Sequence, residues 1–139
     1  MGIGYAATAE PAVTFFVTED RLGLAAQLVR PDGTDQARVE RLPGEPDQWF
    51  APGMNEFLVI RNFPLATTFA QLATALQEGK GAACGLQPIQ RVDSYWDSTH
   101  ARSYCLYRAG SSKVLHDAFL WLGLPAASIH AVRPLPRDA

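Results

Sequence analysis

Runs of β-branched, aromatic and apolar residues broken by turn formers fill the first fifty positions, and an alternation of strand and helix patterns follows. Ala12-Val-Thr-Phe-Phe-Val-Thr18 has strong strand character. Leu22 to Arg30 and Gln36 to Leu42 flank Pro31-Asp32-Gly33-Thr34, a turn signal between two strand-like runs. The expected result is a short antiparallel meander. It ends in Pro43-Gly44-Glu45-Pro46 and Pro52-Gly53, a breaker-rich connection carrying Trp49 and Phe50.

Beyond Met54 the element types alternate. Glu56 to Asn62 reads as a strand ended by Pro64, and Thr68 starts a helix whose Thr68-Phe-Ala-Gln71 has capping-box spacing. Phe69, Leu72, Ala73 and Leu76 make one apolar stripe at i, i+3, i+4, i+7, and Gly79, Gly81 and Gly85 weaken the later turns. Ile89 to Trp96 and Arg102 to Ala109 form a hairpin around Asp97-Ser98-Thr99-His100. Ser111 or Ser112 caps a second helix with Leu115, Ala118, Phe119 and Leu122 on one face, stopped by Gly123 and Pro125. Ser128 to Arg133 is the last strand.

This order is βαββαβ, the split βαβ arrangement. It predicts an α+β, ferredoxin-like unit over 54–139, preceded by the meander and linker over 1–53. Right-handed crossovers place both helices on one face of a four-stranded antiparallel sheet. The other face then needs a cover: the meander, a second subunit or a ligand.

Composition narrows the class. The 139 residues are 47% hydrophobic and 19% charged, a globular balance that supports a core without disulfides or metals. A formal net charge of −2 with scattered Lys and Arg gives no footprint for nucleic acid and no basic cluster for a membrane surface. No apolar run approaches the roughly 20 residues that span a bilayer. Met1 to Glu10 lacks the features of a signal peptide. Cys84 and Cys105, on different predicted elements, read as reduced thiols in a cytoplasmic protein.

Val92-Asp-Ser-Tyr-Trp96, the polar turn, Arg102-Ser-Tyr-Cys-Leu-Tyr-Arg-Ala109, the helix end from Ala118 to Pro125, and Ile129-His-Ala-Val132 together resemble the small ferredoxin-like proteins related to a nickel-binding protein. The resemblance covers Glu56 to Leu135 and is sharpest at Tyr104 to Tyr107. It implies a dimeric α/β barrel, in which two sheets face each other around a cavity. The family's first strand often carries a carboxylate, and in some members a histidine, just before a Phe-Pro step. Ile60, Arg61 and Asn62 stand there in this chain, so the resemblance brings no nickel ligand to that strand.

The hairpin register expected from the turn sets Trp96 opposite Ala101 and Asp93 opposite Tyr104. One face then carries Val92, Ser94, Trp96, Ser103, Cys105 and Tyr107, and the other Arg91, Asp93, Tyr95, Arg102, Tyr104 and Leu106. The second set is too polar to lie under helices and is assigned to the open face. Strand alternation puts His130 on the same side. Asp93, Tyr104 and His130 are therefore the expected acid/base residues. Arg61, Arg91, Tyr95, Trp96, Arg102 and Trp49 are the expected substrate contacts. His100 and His116 read as solvated, Cys105 as a small buried hydrophobe, and Cys84 has no flanking base.

A protein-built metal site has no HxH, CxxC or HExxH spacing behind it. Triad hydrolase, P-loop and dinucleotide motifs are also missing from the sequence. The expectation is a homodimeric, cofactor-free biosynthetic enzyme of the cyclase or isomerase type, acting on a small molecule by acid/base chemistry in a sheet-lined cavity. The alternative is a non-catalytic protein that binds nickel or a small ligand, and a third class is a purely structural module.

Overall fold

The computed structural model of the chain describes residues 2–42, 54–71, 89–122 and 127–135, with the backbone alone at 121–122. Eight strands are present among them: β1 (Gly2–Ala7), β2 (Thr14–Asp20), β3 (Gly23–Arg30), β4 (Gly33–Arg41), β5 (Asn55–Asn62), β6 (Ile89–Asp97), β7 (Arg102–Ala109) and β8 (Ala127–Pro134). They close into one barrel in the order β1-β2-β3-β4-β6-β7-β5-β8, with every pairing antiparallel. The helix α1 (Ser112–Leu122) packs outside. No helix among the described residues is long and apolar enough to cross a membrane.

This overturns the ferredoxin-like α+β fold and its dimeric α/β barrel form. The meander is the cause. It does not sit beside a four-stranded sheet but pairs with both of that sheet's edges. β1 joins β8 through Tyr5↔Pro134, Ala6↔Arg133 and Ala7↔Val132, and β4 joins β6 through Glu40↔Trp96 and Arg41↔Tyr95. A free edge exposes unpaired N–H and C=O groups, and closure removes it. The sheet face expected to meet a second subunit is consequently the inside of a barrel made by a single chain.

β1 has no counterpart in the sequence reading, because glycine and alanine are poor strand formers. Its signal is the period-two set Ile3, Tyr5 and Ala7, which packs against the interior core. Gly4 sits opposite Phe16, and a Cβ there would meet the Phe16 ring at 2.9 Å. The two tight hairpins of the meander each end on a glycine with positive φ, Gly23 at 115° and Gly33 at 154°. Side-chain-bearing residues adopt that backbone only with strain.

Eight strands enclose a bore that side chains just fill. Here Phe15, Leu28, Leu58, Tyr95, Tyr104 and Leu106 fill it, drawn from both halves of the chain. Phe15 stacks on Tyr104 with ring centroids 4.8 Å apart and lies 6.2 Å from Tyr95. On the outside, Leu115, Phe119 and Val114 of α1 cover Phe57, Val59, Cys105 and Tyr107. The Ser111 hydroxyl accepts from the Val114 N–H at 3.4 Å, the expected cap. The capping box also forms: Thr68 N–H donates to Gln71 Oε1 at 2.9 Å, and Gln71 N–H to the Thr68 hydroxyl at 3.1 Å. Leu72, Ala73, Leu76, Cys84, Trp49, Phe50, Gly123 and Pro125 lie outside the described residues, as does the Leu122 side chain.

The β6–β7 hairpin corrects the expected register. Asp97 pairs with Arg102, Trp96 with Ser103, Tyr95 with Tyr104, and Asp93 with Leu106. The turn moves because the buried Asp97 carboxylate accepts from the N–H groups of Thr99 at 2.9 Å and His100 at 3.1 Å, so Asp97 ends the strand. Pairing shifts by two residues, an even number, and the faces survive. Asp93, Tyr95, Arg102, Tyr104 and Leu106 face inward; Ser94, Trp96, Ser103, Cys105 and Tyr107 face outward. The exception is a bulge between Arg91 and Asp93. It puts Arg91 opposite Tyr107 on the outside and turns Val92 towards the interior core, reversing both expectations.

Because the meander supplies part of the common core, Phe15→Ala is expected to destabilise the whole chain by about 3–5 kcal/mol. Urea unfolding followed by tryptophan fluorescence and by far-UV circular dichroism should show one shifted transition. An unshifted fluorescence transition would show that the second half keeps its own core. Gly4→Val is expected to cost about 1–3 kcal/mol through the clash with Phe16, measured the same way.

Candidate functional site

With the bore filled, concavity is left at the barrel's mouth. A partly open cleft of about 410 Å³ lies there, with Pro11, Val13 and Ile60 as apolar walls and Arg30, Asp32, Asn62, Arg102, Ser128 and His130 as polar ones. This is within the size range of small-molecule sites, which pair an apolar lining with a few placed polar groups. Ser128 opposes Ile60 and His130 opposes Leu58, so strand alternation turns both towards the inside of the barrel.

One carboxylate organises the arginines. Arg102 Nη1 donates to Asp35 Oδ2 at 2.8 Å, and Arg30 Nη2 donates to the same oxygen at 2.7 Å. Arg102 also donates through Nε to Asn62 Oδ1 at 2.9 Å and through Nη1 to the Tyr104 hydroxyl at 3.3 Å. The hydrogen bond from Arg102 holds the Asp35 carboxyl below its ordinary range. Asp35 is thus an anion shared by two cations. The Arg30 Nε–H is buried without a hydrogen-bond acceptor; Asp32, on the exposed rim, is its ion-pair neighbour at 3.6 Å. Arg102 Nη2 carries no hydrogen bond among the described residues.

The three expected acid/base residues are not brought together. His130 lines the cleft, half-buried, and burial pushes its imidazole pKa below the ordinary histidine value. Tyr104 is 2% exposed, stacked on Phe15 and reaching the cleft through its bond from Arg102, and burial raises its hydroxyl pKa. Asp93 belongs to another cluster: it accepts from the Tyr95 hydroxyl at 2.8 Å and pairs with Arg41 Nε at 3.2 Å. Burial pushes the Tyr95 hydroxyl up to about 12, so it is a neutral donor to that carboxylate.

Among the expected substrate contacts that fall in the described residues, Arg102 alone lines the cleft. Tyr95 is in the filled bore. Trp96 is on the outer side, packed with Leu42 and Ala101 and edge-on to Phe63 at 5.8 Å. Arg61 is 1% exposed with its guanidinium 4.4 Å from the Phe119 ring centre, and burial lowers its pKa. Arg91 is on the outside opposite Tyr107, and Trp49 lies outside the described residues. His100, expected to be solvated, places Nδ1 2.6 Å from Asp97 Oδ2. His116 is exposed on α1 as expected.

Arg30 and Ser128 of the cleft, and Asp35 that binds its two arginines, are groups that sequence reasoning missed. The Arg30–Asp35 pair was signalled by the turn, since a tight hairpin at Pro31-Asp32 sets Asp35 opposite Leu28 and diagonal to Arg30. The link from Asp35 to Arg102 joins residues 67 positions apart and follows from closure alone.

A resident metal ion needs about three converging His, Cys or carboxylate ligands. Among the described residues no group of three such side chains is placed to hold one. Cys105 is buried under α1, where burial pushes its thiol pKa up, and His100 is engaged by Asp97. The one imidazole in the cleft stands with two guanidiniums. The described residues therefore do not fit a bare nickel ion.

No curated protein and no solved structure is significantly similar to the chain. One family is. The nickel-responsive proteins described as SCO4226-like match residues 57–132, more than half of the chain and the stretch from β5 to β8. That description points to nickel response and away from the isomerase or cyclase expected from the sequence. The chain belongs to the SCO4226-like family of nickel-responsive proteins.

Proposed function

We propose that this chain is a non-catalytic binding protein that takes a small carboxylate-bearing molecule in the cleft at the barrel mouth. The observation that carries the reading is the buried Arg30 Nε–H without an acceptor, in a cleft that it shares with Arg102 and the latter's unengaged Nη2. A buried donor left unmade costs about 1–3 kcal/mol, which a ligand oxygen recovers. Guanidinium groups match carboxylates in a planar, bidentate way. Asp35 holds both guanidiniums in place from one side, so little ordering is left for binding. The apolar walls of Val13 and Ile60 suit the carbon part of such a ligand. Acid/base catalysis has no comparable support, because Asp93 is tied to Tyr95 and Arg41 away from His130.

Titration calorimetry with acetate, succinate and citrate, against uncharged amides of the same size, tests this. The acids are expected to bind and the amides not. Arg30→Gln is expected to weaken binding about tenfold or more, the scale of a charged hydrogen bond. Because Arg30 is partly exposed, this variant keeps the fold, and circular dichroism checks that. Equal binding of acids and amides, or no binding of either, would sink the proposal.

A further inference from the structure

The cleft has two polar ends. Arg102 begins β7 opposite Asn62 of β5, whereas Ser128 and His130 stand on β8, opposite Ile60 and Leu58. Because β5 lies between β7 and β8, Arg102 and Ser128 are two strand spacings apart and offset by two residues, roughly 10 Å across the sheet and 7 Å along it. Ile60 lies on the strand between them and is one of the apolar walls. The arginine end has its own anion in Asp35. The β8 end has none: neither the Ser128 hydroxyl nor the half-buried His130 ring makes a hydrogen bond or ion pair among the described residues. A polar group in a partly buried wall loses hydrogen bonds to water, and a ligand oxygen restores them.

We propose that His130 is the specificity-determining residue of this cleft and that the occupant is a two-headed acid, with one carboxylate on Arg30 and Arg102 and a second on Ser128 and His130. The inference rests on the carboxylate-binding reading above and adds the second acidic group to it. A short carbon chain between the two heads lies along the apolar walls of Val13 and Ile60. Ser128 donates its O–H to the second carboxylate and His130 a ring N–H, a bond that strengthens when the ring is protonated. In the empty cleft burial favours the neutral ring. The elements packed around it supply no spare anion. Leu58 stands opposite on β5, and Glu56, further along β5, is paired with Arg108 at 3.4 Å. Burial raises the hydroxyl pKa of Tyr5 on β1, so that group is uncharged. α1, with Lys113, His116 and Asp117, packs on the outer face of the sheet. At the mouth, Asp32 and Asp35 are both paired with arginines. The ligand's second carboxylate is therefore the anion that draws a proton from solvent onto His130. Affinity for a two-headed acid then rises as pH falls from 8 to 6, whereas a one-headed acid, held by the arginines, takes up no proton.

The test titrates the full chain, without a histidine tag, with succinate, glutarate and adipate and with the mono-amide of each. Calorimetry at pH 6 and pH 8, in two buffers of different ionisation enthalpy, reads affinity and proton uptake together. At pH 6 at least one diacid is expected to bind about tenfold more tightly than its mono-amide, the scale of a charged hydrogen bond, and to take up protons. At pH 8 the preference should shrink and the uptake fade. His130→Gln keeps a donor that cannot be protonated, and is expected to abolish the uptake and the pH dependence. Ser128→Ala, on the exposed rim, should weaken the diacid relative to its mono-amide while proton uptake persists. Arg30→Gln should weaken diacids and mono-amides alike. Circular dichroism checks the fold of each variant, and Ser128→Ala still tests the second head if His130→Gln does not fold. If mono-amides bind as tightly as diacids at pH 6, or diacids bind without proton uptake, the two-headed inference is overturned while the carboxylate reading stands. Preference and uptake that persist in folded His130→Gln overturn it likewise. If no acid binds at either pH, both fall.

Discussion

The fold depends on a constraint of backbone hydrogen bonding: a sheet with two free edges and an uncovered apolar face is not a finished structure. β5, β6, β7 and β8 make such a sheet, with α1 on one face. β1 and β4 complete it by pairing with its outer strands, and the interior side chains of β2 and β3 then fill the bore. Edge pairing and face covering are solved by one segment. The site follows from this, since the filled bore leaves a cleft at the mouth, where strands from both halves meet.

The Asp35 carboxylate is the electrostatic counterpart of that closure. It stands on β4, one of its arginines ends β3, and the other begins β7. A charge so placed keeps two cations apart and oriented at the same time. The Arg102 side chain is 14% exposed, and its bonds to Asp35, Asn62 and Tyr104 satisfy three of its donor positions without using Nη2. Preorganisation of this kind is what makes a shallow, partly solvated cleft a credible place for a small anion.

Local elements were legible in the sequence, and the closure was not. The Thr68–Gln71 capping box, the Ser111 cap, the Pro31-Asp32 turn and the strands β2 to β8 rest on short-range chemistry written in adjacent residues. The inward and outward faces of the β6–β7 hairpin also came out correctly, although the register was off by two, because strand parity survives an even shift. A single bulge at Val92 was enough to reverse Arg91. Nothing local says that Tyr5 pairs with Pro134 or Arg41 with Tyr95, and once that is missed, a familiar βαββαβ order suggests the wrong class. The cleft shared this fate: alternation turned His130 and Arg102 to the inner side, where both line it, whereas Arg30, Asp35 and Ser128 acquire meaning from the barrel. Asp93 faces inward as expected yet is held by Tyr95 and Arg41 and does not line the cleft, since facing inward in a closed barrel does not mean facing the same cavity.

The two seams differ in a way that bears on motion. Among the described residues β4 meets β6 over two paired positions, fewer than at any other junction, while its other neighbour β3 holds it over seven. By backbone pairing alone this seam is the place where a sub-global opening is expected to start, with β4 staying on the meander; the Leu42 N–H to Ser94 carbonyl bond at 2.8 Å and the Arg41–Asp93 ion pair oppose it. An opened edge is ordinarily a template for another chain. Here the bared strand carries Asp35, Arg38, Glu40 and Arg41, mixed charges that a second molecule in register would have to match or bury. The shortest of the described strand junctions thus lies on a strand of mixed charge, so an opening there would expose an edge that disfavours pairing with a second molecule.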